Sequence, residues 1–284
     1  MSKRRTIARE IAAEGTALHS GTQVRILLAP AGPNVGVIFQ RSDLDGAQVP
    51  ARYDNVSETT LGTTIESGRA SVAVIEHMMA AIAGAGIDDL VVILDGAEPP
   101  ILDGDALAFL DLLDAAGVKE HDVERRAIKV LRRVEVTHNQ ARVALIPAAS
   151  LSFAFEIVFP SAAIGRQTFA FDFTPETFRR EIAPARTFGD IAQLEALKQI
   201  DCGHGASLHN TLAVDGDRVL NADIMRFKDE FVRHKLLDAV GDMALAGAPL
   251  IARFEGVKSG HALNNAALRA LFSDPGNYRM VTAP

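Results

Sequence analysis

Three scarcities narrow what this sequence can be. There is one cysteine among 284 residues, Cys202. An internal disulfide is therefore excluded, and a disulfide-held secreted scaffold is not expected. There is no long hydrophobic run. Uncharged stretches such as Val143–Phe155 and Met243–Ala252 fall short of the ~20 apolar residues that a membrane-spanning helix needs. The opening "MSKRRTIARE" is basic, but no apolar segment follows it, so a secretory signal is not expected. There is no excess of positive charge either. The chain carries 36 acids against 29 bases, a formal charge of −7. A general nucleic-acid binder is thereby disfavoured, while a local basic pocket for a phosphate stays compatible. A cytoplasmic enzyme or binding protein is the expectation.

What is present is ordinary globular material, 48% hydrophobic and 23% charged. A chain of this length can bury roughly three quarters of its unfolded surface without disulfides or a structural metal. Gln23–Leu28 and Val35–Phe39 read as strands, and the turn chemistry of "PAGPN" between them predicts a hairpin. Ser71 is a candidate cap for a helix from Val72 to about Ala83. A buried strand follows at Asp89–Leu94, then a loop at Glu98–Gly104 and a helix at Ala106–Ala116 ending at Gly117. The charged run "KEHDVERR", Lys119–Arg126, reads as a solvated connector. Beyond it come strands at Ile128–Val136, Ala141–Ile146 and Leu151–Val158 and a short helix at Pro175–Glu181. A helical piece and a glycine-rich loop fill Gly189–Gly216. A long helix spans about Asp223–Ala246, and the strand "APLIARFEG" and the helix "HALNNAALRALF" close the chain. No clear sequence repeat is visible, but the halves share a rhythm. The reading is α+β, two layered subdomains, 1–125 and 126–284.

The chemistry concentrates on helices. In "FVRHKLLDAVGDMAL", His234, Asp238 and Asp242 stand at i, i+4 and i+8. Each step of four drifts only about 40° around a helix, so the three form one polar stripe among apolar neighbours. A histidine and an aspartate one turn apart can address one metal ion, and this donor pair suits zinc; a surface His–Asp pair is the plain alternative. In "VIEHMMAA", Glu76 and His77 are adjacent in an otherwise apolar helix. His77, His234 and Asp238 would complete a His₂Asp set, with Glu76 as the nearby base for a water. In "VKSGHALNNA", Lys258 and His261 flank a Ser-Gly turn at a helix start, where a histidine can act as general acid or oxyanion donor. Thr187 in "ARTFGD" could donate to a developing oxyanion, and "GTALHSGT" exposes His19 on a glycine-bracketed turn.

Taken together these strings resemble the UDP-3-O-acyl-N-acetylglucosamine deacetylases, the zinc enzymes that commit Gram-negative bacteria to lipid A synthesis. The resemblance is carried by "LHSG", "IEHMMAAIAGAGIDDL", "EPPILDGDA", "ARTFG", "RVLN", "RFKDEFVRHKLLDAVGD" and "KSGHALNNA", spread in family order over nearly the whole chain. It implies a fold of two β-α-α-β sandwich-like halves with helices face to face, each half with one insert. By the same resemblance the zinc ligands are His77, His234 and Asp238, the general base is Glu76, and the second acid/base is His261. Thr187 would assist the oxyanion and Asp242 would hold the catalytic histidine. Lys235 and Lys258 would lie near sugar and diphosphate, and Phe188 and His19 would line the cleft. The segment from about Ile191 to Asp217 would form an apolar passage for the acyl chain. Iron in place of zinc is chemically compatible, since His₂Asp discriminates weakly. The implied substrate is an acylated UDP-sugar, and the implied products are acetate and a free amine. A cytoplasmic monomer with at most peripheral membrane contact and no nucleic-acid partner is expected.

The sequence departs from the family at Ala17, where glycine usually precedes "LHSG", and at Gly205-Ala206-Ser207, where "GGS" is usual. Val158 replaces an aspartate near the uridine, and the His-Pro that normally follows Phe159 is absent. These changes leave open a related amidohydrolase acting on another sugar nucleotide. A non-catalytic nucleotide-sugar binder is the rival from another class; it would have no reason to keep Glu76 and His261.

Overall fold

The computed structural model describes residues 2–199 and 201–283. Ile200, inside the expected acyl-passage insert, lies outside the described residues. Two five-stranded sheets carry the architecture. One has the spatial order Ile11–Thr16, Gln23–Pro30, Leu90–Leu94, Val37–Arg41, Ala47–Pro50. The other runs Val134–His138, Ala141–Ile146, Arg253–Val257, Ser152–Val158, Arg166–Asp172. The pairing senses match position by position. In each sheet the central strand is the last to arrive in sequence, antiparallel to one neighbour and parallel to the other. The shared rhythm of the halves is thus a shared topology.

Among the described residues six α-helices accompany them: α1 (Glu76–Gly84), α2 (Leu107–Ala116), α3 (Pro175–Glu181), α4 (Ile191–Lys198), α5 (Glu230–Ala244) and α6 (His261–Phe272). Helix α2 packs on the first sheet and α5 and α6 on the second, while α1 and α5 face each other between the layers. The strands alternate accordingly. Gln23–Pro30 and Ser152–Val158 bury every second residue, the period-2 signature of a sheet with one covered face. Helix α5 instead buries Phe231, Leu236, Leu237, Ala239 and Val240 together with His234, Asp238 and Asp242. It is enclosed all round, so its polar stripe cannot be a solvated face.

The crossing of α1 and α5 is close because of one residue. A Cβ on Gly241 would lie 2.0 Å from the carbonyl oxygen of Glu76. Only glycine lets the two backbones approach this far, and the approach sets the first turn of α1 against the middle of α5.

Several expectations need correction. Gln23–Pro30 and Val37–Arg41 do not form a hairpin, because Leu90–Leu94 inserts between them. The turn at "PAGPN" carries the chain past an open slot that a strand fifty residues later fills, and local turn chemistry cannot reveal that. Helix α1 begins at Glu76, not Val72. Ala70–Val72 is a strand, and Val74 adopts a left-handed φ of 55°, which breaks the helical path ahead of Ile75. The charged run is no connector, since Val118–Glu124 pairs antiparallel with Lys3–Ile7. Cross-strand ion pairs, Lys3–Asp122 at 2.9 Å and Arg5–Glu120 at 3.1 Å, explain its composition. The stretch Ile128–Val136 divides into Arg126–Val130 and Val134–His138, and "APLIARFEG" divides into Leu250–Ile251 and Arg253–Val257. In each case the two pieces join different sheets. The long helix starts at Glu230 after a 3₁₀ turn at Ala222–Ile224. Helices α2, α3 and α6 match the sequence reading within a residue.

Candidate active site and metal centre

The facing turns of α1 and α5 open into a cavity of about 380 Å³. Its polar floor holds Glu76, His77, His234, Lys235, Asp238 and His261, and its walls include Leu18, Leu61, Phe159, Phe188 and Leu194. His77, His234 and Asp238 are all buried, and their ligating atoms lie within 4.8 Å of one another. The His234 Nε2 is 3.3 Å from Asp238 Oδ1, and the His77 Nε2 is 3.7 Å from the same oxygen. The two imidazoles meet edge to face with centroids 4.9 Å apart.

These groups are held from behind. The Ala185 carbonyl lies 3.0 Å from His234 Nδ1, a contact that leaves Nε2 to face the cavity. Lys235 Nζ donates to Asp238 Oδ2 at 2.6 Å. Asp238 Oδ1 and His77 Nδ1 are buried and have no hydrogen-bond partner among the described residues. A buried carboxylate oxygen that faces two imidazoles and lacks a donor is costly unless a cation satisfies it. Burial and the neighbouring His234 push the His77 pKa down to about 3, and burial lowers His234 as well. Burial would raise Asp238, but the charges of His234 and Lys235 hold it far below the usual carboxylate range. Two neutral imidazoles and one ionised carboxylate are the donor forms that bind a divalent cation, so the residues fit one.

Glu76 sits one residue from His77 and accepts the Thr63 backbone N–H through Oε2 at 2.9 Å. Burial pushes its pKa up to about 7. His261 Nε2 lies 3.8 Å from Glu76 Oε1, and His261 Nδ1 is 2.9 Å from Asp242 Oδ2. Burial opposes protonation of His261, as does the positive end of α6 that it begins. The carboxylates of Asp242 and Glu76 outweigh burial, and its pKa rises to about 9.

The remaining predicted residues are less uniform. Thr187 and Phe188 line the cavity on the strand Thr187–Asp190. A buried ion pair holds their approach: Arg186 Nε donates to Glu230 at 3.0 Å, and Arg186 N donates to the same oxygen. Phe188 meets Phe231 and His234 edge to face. His19 lines the cavity, and its Nε2 is 3.2 Å from the Leu61 carbonyl. Lys258 does not line it; Nζ donates outward to Gln140 at 2.8 Å. Of the departures, Ala206 lines the cavity wall and Val158 is exposed beside its rim residue Phe159.

Sequence reasoning missed the supports. Glu98 accepts the backbone N–H groups of His19 and Ser20 and so fixes the turn at Leu18–Gly21. Asn264 donates to Asp242 at 2.8 Å. Thr63 touches both Glu76 and Asp242. Asn264 stood within a quoted string, but nothing in its spacing marks it as Asp242's partner.

A family model described as UDP-3-O-acyl N-acetylglycosamine deacetylase matches residues 4–273. The chain belongs to this family. A UDP-3-O-acyl-N-acetylglucosamine deacetylase from Phenylobacterium zucineum (strain HLK1) is 43% identical over 271 residues, covering 94% of this chain and 92% of the relative. Membership is consistent with the α+β fold of two matching sheets and gives the His₂Asp set a chemical context. No helix among the described residues is long and apolar enough to cross a membrane.

Proposed function

We propose that this chain hydrolyses the 2-acetamido group of UDP-3-O-(3-hydroxyacyl)-N-acetylglucosamine, releasing acetate and the free amine for lipid A biosynthesis. The observation that carries the reading is the convergence of His77 from α1 with His234 and Asp238 from α5, beside a buried Glu76. These three residues would hold a divalent cation, which in such sites polarises a carbonyl and acidifies a water. Zinc suits the set, and iron is the alternative for the same donors.

The chain's own groups divide the remaining work. Glu76, lifted to about 7, takes the proton of the attacking water. The Thr187 hydroxyl donates toward the oxyanion that develops on the acetamide oxygen. His261 stays protonated because Asp242 grips Nδ1, so its Nε2 presents positive charge and a proton to the departing amine. Lys235 neutralises the outer oxygen of Asp238 and carries positive charge into the sugar side of the cavity. Phe188 and His19 supply walls. Lys258 would have to release Gln140 to reach a diphosphate. The walls at Leu18, Leu61, Phe159 and Leu194, with the insert at about 191–217, suit an acyl chain. We assign the two working halves to residues 1–125 and 126–284, and place the enzyme in the cytoplasm as a monomer with at most peripheral membrane contact.

The test is acetate release from UDP-N-acetylglucosamine with and without the 3-O-acyl chain, alongside metal analysis of the purified protein. Activity on the acylated substrate alone, abolished by a chelator and restored by zinc, supports the reading. Full activity in metal-free protein overturns it.

A further inference from the structure

Between Glu76 and Asp242, two of the three carboxylates of the site, stands a residue that has no part in the chemistry proposed above. Thr63 is 1% exposed and ends the loop that joins the strands Val56–Glu58 and Thr64–Ser67, which form a small three-stranded sheet with Ala70–Val72. Its backbone N–H donates to Glu76 Oε2 at 2.9 Å, and its hydroxyl donates to Asp242 Oδ1 at 2.6 Å. Glu76 begins α1 and Asp242 belongs to α5. One residue therefore clamps the base to the carboxylate that holds His261.

The loop is shaped for this reach. Leu61 takes a left-handed φ of 64°, and Gly62 follows at 151°. A Cβ at Gly62 would stand 3.0 Å from Glu76 Oε1. Such a φ is unfavourable for Leu61 and persists where surrounding contacts enforce it, whereas glycine at 62 adopts its φ without strain. Among the described residues Asp242 is otherwise bound through Oδ2 alone, by His261 Nδ1 and Asn264 Nδ2. Two contacts on one oxygen let a carboxylate swing about its χ2. The Thr63 hydroxyl on Oδ1 removes that freedom and fixes the plane in which Nδ1 of His261 must lie. Groups that orient a metal-ligating histidine from behind typically change activity by about 10–100-fold when removed, and the same order is expected for a group that orients an acid/base histidine.

We propose that Thr63 is a positioning residue for the acid/base pair, acting through its hydroxyl on Asp242 and through its N–H on Glu76. This rests on the roles given above to Glu76, Asp242 and His261. The loop at 59–63 then contributes to turnover, and does so without touching substrate.

The experiment compares Thr63→Val, Thr63→Ala and Thr63→Ser in the metal-loaded enzyme, with Asp242→Asn and Thr63→Ala/Asp242→Asn beside them. Thr63→Val and Thr63→Ala should lower kcat by about 10–100-fold with KM and metal content within about twofold of wild type. Thr63→Ser keeps the hydroxyl and should recover kcat to within about threefold. Adding Thr63→Ala to Asp242→Asn should cost little more, because the hydroxyl has lost its charged acceptor. If Thr63→Val does not fold, the Ala and Ser pair carries the comparison. Equal losses in Ser and Ala would overturn the proposal, since packing of the methyl would then be the cause. So would wild-type kcat in Thr63→Ala while Asp242→Asn is impaired. Wild-type turnover in Asp242→Asn would refute the underlying assignment of Asp242 instead.

Discussion

Replacing Gly241 by alanine tests whether the crossing of α1 and α5 builds the site. The added Cβ would lie 2.0 Å from the Glu76 carbonyl oxygen, 2.7 Å from its carbonyl carbon and 2.9 Å from its Cα. All three are backbone atoms in the first turn of α1, so no side-chain rotation relieves the contact. Carbon atoms of this kind do not approach closer than 3.0 Å, so the helices must part by about 1 Å. Glu76 and His77 ride on one side of that gap, and His234 and Asp238 on the other. A shift of about 1 Å in reacting groups can cost on the order of 10²-fold in rate. Stability should suffer less. Overpacking costs about 1–3 kcal/mol, and alanine returns about 1 kcal/mol of helix propensity over glycine. A net loss of about 1 kcal/mol corresponds to a fall in Tm of roughly 2–4 °C for a chain near this size. The expected result is a folded protein that has lost metal affinity and about 10²-fold or more in kcat/KM. Steady-state deacetylation, bound metal per chain and a thermal melt measure the three quantities. A variant with full metal content and kcat/KM within threefold of wild type would show that the close crossing is incidental to the centre.

Further expectations concern single groups. His234→Ala or Asp238→Ala should purify without bound metal, and full occupancy in either would remove that residue from the ligand set. Glu76→Gln keeps the shape and the contact with Thr63; it should retain metal and lose turnover by roughly 10²–10⁴-fold, and near-normal turnover would exclude Glu76 as the base. For His261 the sign follows from its raised pKa. The charged form is present below about 9 and is lost as pH rises through that value, so the alkaline limb of kcat belongs there. Asp242→Asn removes the carboxylate that contributes most to holding the proton, so that limb should move to lower pH. An unmoved limb would mean that His261 does not set it.

The site was more legible in the sequence than the fold around it, for a physical reason. Polar groups on α5 obey helical periodicity, so His234, Asp238 and Asp242 declare their common face at a spacing of four. "EH" at Glu76-His77 and "KSGH" before α6 are chemically unusual in apolar surroundings and stand out without any tertiary information. The supports do not. Glu98, Thr63 and Asn264 act through single hydrogen bonds between segments far apart in the chain, which no local pattern encodes. The sheets were illegible for the same reason. Leu90–Leu94 is recognisable as a strand, but its slot between Gln23–Pro30 and Val37–Arg41 depends on parallel pairing across fifty residues. Val118–Glu124 reads as a connector because its charges suit both a solvated connector and an edge strand, and only the partner Lys3–Ile7 distinguishes them.

The matching sheets explain why the centre lies where it does. In each half the helix that precedes the central strand is the one that faces the other half: α1 before Leu90–Leu94, and α5 before Arg253–Val257, with the short strand Leu250–Ile251 between. Two copies of one topology, placed helix to helix, bring equivalent helices into contact. The chemistry on them is not equivalent. Helix α1 contributes the imidazole of His77 and the proposed base Glu76, whereas α5 contributes the imidazole of His234, the proposed ligand Asp238 and the carboxylate of Asp242 that grips His261. Neither helix carries a complete donor set, and burying either half-set alone would leave polar groups without partners. The two halves therefore depend on each other through the same contact that assembles the site. A substitution at the helix crossing should weaken metal binding and cohesion between the halves together, whereas one on the cavity wall, at Leu194 or Phe159, should change substrate preference and leave both intact.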